Sequence, residues 1–102
     1  MSKQFYFGKL VPPRPTFPGD MTDREKQLMS EHARYARSQF EAGRLLIYGP
    51  VTTHDGSFGL AVLAVDDEAE ARRFFENDPT VLAGLNTFEL HSMHVAASRA
   101  LD

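Results

Sequence analysis

The spacing of apolar positions divides the chain into alternating strand and helix segments. Gln4 to Val11 (QFYFGKLV) is an aromatic, β-rich run and predicts a first strand. Four prolines between Pro12 and Pro18 exclude a regular element there. The resulting connection of about ten residues exceeds the roughly four to six usual in a compact domain. Thr22 and Glu25 then have the spacing of a capping box, which starts a helix near Asp23. Met29, Ala33, Ala36 and Phe40 fall at i, i+4, i+7 and i+11, the stripe of an amphipathic helix, with Leu28, His32 and Tyr35 along its flank. Ala42-Gly43 ends this helix, because glycine is the usual residue just past a helix terminus.

The second half repeats the alternation. Leu45-Leu46-Ile47-Tyr48 reads as a buried strand that halts at Gly49-Pro50, where proline has no N–H for a ladder. His54-Asp55-Gly56 is a turn signal, and Ser57 to Val65 (SFGLAVLAV) forms the third strand, antiparallel to the second. Asp67 caps a second helix with Glu70 three residues on and Ala71, Phe74 and Phe75 as its apolar face. Asn77-Asp78-Pro79 interrupts that helix, and Pro79 opens a short further turn closed by Gly84. Asn86 to Ala96 alternates as a fourth strand, and the tail from Ala97 reads as loose.

The order β-α-β-β-α-β is the split βαβ pattern of the ferredoxin-like α+β fold, with a four-stranded antiparallel sheet in one domain over residues 1–102. Two helices cover one face of such a sheet, yet LLIY and LAVLAV are apolar on both. A second copy of the sheet is the economical cover, so the expectation is a homodimer with sheet packed on sheet, and assembly into a higher oligomer stays open.

Composition narrows the function classes. At 102 residues, 42% hydrophobic and 25% charged, the chain suits one soluble globular unit. A net charge of −3, with Arg72-Arg73 the longest basic run, lacks the stripe that nucleic-acid binding requires. The absence of cysteine removes thiol nucleophiles and disulfides and suits a cytoplasmic setting. No apolar run approaches the roughly 18 residues of a membrane span, so no membrane partner is expected.

Among chemistry-bearing residues, His32 comes first. A neutral imidazole accepts or delivers a proton near pH 7; the alternative is a boundary histidine bonded to a backbone carbonyl. Tyr35, three residues on, shares its helix flank and either binds a substrate oxygen or is an amphipathic edge residue. Arg14, in the Pro-rich loop, and Arg34 are candidates for an anionic substrate or are simply solvated. Pro50, with Gly49, either shapes a pocket wall or only terminates the strand. Asp78 before Pro79 is a preferred helix opening. No metal or cofactor is expected: His91 and His94 are three apart in a strand, which sends them to opposite faces, and His54 belongs to a turn. HExxH, G-x-G-x-x-G and P-loop patterns are absent.

EHARY in the first helix, LLIYGPV, DGSFGLAVL and the acidic-capped DDEAEARRFFENDP, in this order, resemble the YCII-related family over roughly residues 4–95. The resemblance implies a dimeric α+β barrel and a histidine–aspartate pair in a cleft, which falls here on His32 and Asp78. It implies small cyclic or aromatic substrates, and a dehydrochlorinase acting on a chlorinated hydroxyquinol is one activity associated with the family. The Pro-rich loop is longer than the family's minimal pattern. Capping and pairing are compatible roles for Asp78, since one carboxylate oxygen can cap while the other meets an imidazole. The leading expectation is a cofactor-free enzyme in which His32 and Asp78 move a proton in an isomerase, lyase or dehydrochlorinase-type reaction, with Tyr35, Arg14 and Pro50 binding substrate. The alternative is a non-catalytic small-ligand-binding or regulatory homodimer.

Overall fold

The structure is a computed structural model and describes residues 3–99. Its elements are β1 (Gln4–Val11), α1 (Asp23–Glu41), β2 (Leu45–Thr53), β3 (Gly56–Val65), α2 (Glu68–Glu76), α3 (Pro79–Leu82) and β4 (Thr87–Met93). The strands form one antiparallel sheet in the order β2-β3-β1-β4. This α+β arrangement places the first and last strands side by side, as the ferredoxin-like pattern requires.

Local chemistry sets the helix ends. The Thr22 side chain accepts from Glu25 N–H while the Glu25 carboxylate accepts from Thr22 N–H, a complete capping box. Asp67 caps α2 through Glu70 N–H at 2.8 Å. Gly43 and Gly84 follow α1 and α3 at φ of 88° and 75°, the left-handed region that halts a helix at little steric cost to glycine.

The register decides which face each strand residue serves. Tyr6 and Leu10 of β1 lie opposite Leu63 and Gly59 of β3, and this face packs beneath the helices. Ala71, Phe74 and Phe75 of α2, Ala36 of α1 and Leu45 of β2 complete the core there. The Phe74 ring meets Phe75 edge-on, and Phe75 stacks on Phe88 of β4. The other face carries Phe5, Phe7, Val62, Leu60 and Ile47, whose register partners lie on the same side.

Two boundaries and one burial pattern differ from the sequence expectation. β2 runs through Gly49-Pro50 to Thr53 instead of halting there. It is an edge strand, where proline's missing N–H leaves no ladder bond unmade on the open side. Nor is its apolar run uniformly buried. Leu45 is in the core, but a register shift between Leu45 and Ile47 leaves Leu46 and Ile47 exposed. β4 stops at Met93, so His94 lies beyond the strand and its face is not set by strand alternation. Of the loose tail, residues 97–99 carry no regular structure, and residues 100–102 lie outside the described residues.

Candidate functional site

The helix stripe of α1 supplies one wall of a cavity instead of packing flat on the sheet. Ala36 is buried, but Ala33 is exposed, and Met29, His32, Ala33 and Ala36 all border a cavity of about 350 Å³. Leu10, Ala61 and Pro50 contribute from the sheet, and Phe74 and Phe75 from α2. Phe17 and Pro18 of the Pro-rich loop line it as well, with Phe17 itself buried. The volume falls in the range of small-molecule sites, and the lining is chiefly hydrophobic with a few polar groups.

His32 and Asp78 meet at this cavity. Nδ1 of His32 lies 2.6 Å from Oδ2 of Asp78, across 46 residues of sequence. Asp78 is 1% exposed and is also the N-cap of α3. Its other oxygen, Oδ1, accepts from Thr80 N–H at 2.8 Å and from the Thr80 hydroxyl at 2.6 Å. One carboxylate thus caps a helix with one oxygen and meets the imidazole with the other. Burial pushes this carboxyl's pKa upward, but the bonds from His32 and Thr80 outweigh it and hold the group below the usual carboxylate range.

The charge state of Asp78 determines the imidazole tautomer. An ionised carboxylate can only accept, so Nδ1 of His32 is the protonated nitrogen. Nε2 makes no hydrogen bond among the described residues and carries the lone pair in the neutral ring. A histidine held in one tautomer by a buried carboxylate, beside an apolar cavity, is the geometry of a general acid–base pair.

The other candidate residues fall in different places. Pro50 is at the cavity wall, brought there by the uninterrupted β2. The Tyr35 hydroxyl donates to the Phe74 carbonyl at 2.6 Å and its ring stacks on Phe74. Burial, then the negative charge of Asp78, pushes the Tyr35 pKa up to about 12. This tyrosine ties α1 to α2 behind the cavity and does not line it. Arg14 is bidentate to Glu25 at 2.6 and 2.9 Å and bonds Asp20 at 3.0 Å. The guanidinium, followed by the Thr22 N–H, lowers the Glu25 carboxyl to about 2. Arg14 thereby fastens the loop that carries Phe17 and Pro18 to the start of α1. Arg34 turns to Ser30 on the exposed helix face.

Phe17, Thr80 and Asn86 belong to the site without having stood out in the sequence. Phe17 is one aromatic in an irregular loop, and Thr80 resembles any residue of a first helical turn. Asn86 carries no pattern at all, being the residue before a strand. Only the spacing Asp78-Pro79-Thr80 held a usable signal, because a capping aspartate seeks the N–H two residues on.

Among the described residues, no three His, Asp or Glu side chains gather as a metal-binding group, and no helix is long and apolar enough to cross a membrane. A family model of the YCII-related domain matches residues 10–93, a span that contains both His32 and Asp78. Comparison with curated proteins gave no match.

Proposed function

The chain belongs to the YCII-related family, and we propose that it is a cofactor-free enzyme in which His32 and Asp78 move a proton on a small cyclic or aromatic molecule. The contact of His32 Nδ1 with Asp78 Oδ2 at 2.6 Å, at the wall of a largely apolar cavity, carries this reading. In the reaction, His32 Nε2 takes a proton from a substrate carbon or hydroxyl, and Asp78 stabilises the imidazolium that forms. The same nitrogen returns the proton at a neighbouring position in an isomerisation or to a leaving group in an elimination. The largely apolar walls strengthen the attraction between imidazolium and carboxylate. Phe17 and Pro18, on the loop fastened through Arg14, form a further part of the cavity wall.

The working unit in this proposal is a homodimer. Phe5, Phe7, Val62 and Ile47 share the face turned away from the core helices, and Ile47 is 49% exposed. A second copy of that face offers the same apolar surface in return.

Turnover decides the matter. Wild-type protein, His32→Gln and Asp78→Asn are incubated with a panel of cyclic enones, lactones and halogenated phenols, and products are followed by NMR in deuterated water. The expected result is turnover or hydrogen–deuterium exchange by the wild type, with a loss of about 10²- to 10⁴-fold in His32→Gln. Undiminished turnover in His32→Gln overturns the mechanism. Binding of panel members without exchange or turnover favours the ligand-binding homodimer instead.

A further inference from the structure

The cavity contains a second polar position that the histidine–aspartate pair does not use. Asn86 lines the cavity and is 3% exposed. Its backbone N–H bonds the Thr80 carbonyl at 3.1 Å, so the residue is anchored to the same helical turn that holds Asp78. Its side-chain Nδ2 donates to the Met29 thioether at 3.8 Å. Its Oδ1 is buried with no hydrogen-bond partner among the described residues. Buried side-chain carbonyls seldom remain unpartnered, and each case calls for a specific cause.

The orientation of the amide has a physical preference. Turning it over would bring Oδ1 against the Met29 sulfur, setting lone pair against lone pair, whereas the present arrangement gives the weak N–H···S contact. The oxygen is therefore the unmatched end. The terminal torsion of asparagine is broad, and the one side-chain hydrogen bond it gives up on rotating is the weak thioether contact. Turning the oxygen toward an occupant therefore breaks no stronger hydrogen bond.

We propose that Asn86 is a ligand-recognition residue of the cavity, its amide oxygen accepting a hydrogen bond from a hydroxyl or N–H of an uncharged ligand. This rests on the reading of the cavity as a ligand site and adds the polar feature its occupant must have. The cavity lining contains no Lys or Arg among the described residues, and its one histidine already faces the Asp78 carboxylate, so an uncharged ligand suits it better than an anionic one. A ligand bonded at Asn86 is fixed at one end while His32 addresses the rest of it. Asn86 is in this sense a positioning residue, distinct from the proton-transfer pair.

Phenol and toluene test the proposal, being alike in size and differing by a hydroxyl against a methyl. Their dissociation constants are measured by NMR titration with wild type, Asn86→Leu, Asn86→Asp and His32→Leu. Water solvates phenol better, so a purely apolar cavity favours toluene. The wild type is expected to favour phenol, and Asn86→Leu to move the ratio of the two constants toward toluene by about tenfold. Asn86→Asp keeps an acceptor and keeps the preference for phenol. An unchanged ratio in Asn86→Leu, or a change confined to His32→Leu, overturns the proposal. Should Asn86→Leu not fold, the Asn86 side-chain amide resonances of the wild type decide. A shift on adding phenol but not toluene supports the assignment, and equal shifts overturn it. Failure of both probes to bind the wild type removes the ligand-site reading itself, and the assignment with it. Equal binding of both removes only the role of Asn86.

Discussion

Gly8 lies directly against the ring of Phe75, so closely that a β-carbon at position 8 would overlap the aromatic carbons. Phe75 is 2% exposed, stacks on Phe88 and borders the cavity. The missing side chain in β1 is what lets the ring settle onto the sheet. Gly8→Ala is accordingly expected to destabilise the protein by about 1–3 kcal/mol, because an overpacked core forces rings off their rotamers. Urea denaturation measures this. A midpoint unchanged from wild type would show that Phe75 repacks freely.

Asp78 links stability to acid. Its carboxyl ionises below the usual range in the folded protein, so its contribution is complete above the unfolded value of about 3.9 and is lost as pH falls through the folded value. At neutral pH, Asp78→Ala leaves the Thr80 N–H and hydroxyl without their acceptor and should cost about 1–3 kcal/mol. The difference between wild type and variant should shrink as pH is lowered below about 4. Thermal melts from pH 7 to pH 2.5 test it, and a constant gap across that range would show that the native carboxyl ionises as freely as in the unfolded chain.

Tyr35 acts at the opposite end of the pH scale. Its folded pKa of about 12 lies above the ordinary value of 10.0. The neutral phenol is favoured in the folded state, so the contribution is whole below about pH 10 and is lost as pH rises toward 12. Absorbance titration should show a tyrosine ionising near pH 12, and Tyr35→Phe should remove that late step. The same variant forfeits the bond to the Phe74 carbonyl, at a cost of about 1 kcal/mol in neutral solution.

Val62 stands opposite both Phe7 and Ile47 in register, near the middle of the helix-free face. Val62→Lys puts a charge at the centre of the proposed sheet-on-sheet contact without entering the core beneath the helices. Light scattering should give a dimer for the wild type and a monomer for the variant, with the circular dichroism spectrum retained. A monomeric wild type would leave the apolar face to another cover.

Residues that settle their conformation with neighbours a few positions away were legible in the sequence. Thr22 with Glu25, Asp67 with Glu70, Pro79 at a helix start and Gly43 past a helix end each act within about one turn, so their spacing alone predicts the outcome. The strand and helix order followed, and with it the ferredoxin-like pattern. The pairing of His32 with Asp78 came instead from the family resemblance, since no local rule joins residues 46 apart. Tertiary structure alone decided the rest. Pro50 stays within β2 because β2 is at the sheet edge, a fact of strand order and not of local sequence. The stripe of α1 borders a cavity that Phe17 and Pro18 line from the loop, and Arg14 bonds Glu25 and Asp20 to fasten that loop to the start of α1. Asn86 joins the site through its bond to the Thr80 carbonyl. A residue's burial and partners depend on which distant segments the packed core brings beside it, and periodicity reports only the face on which it begins.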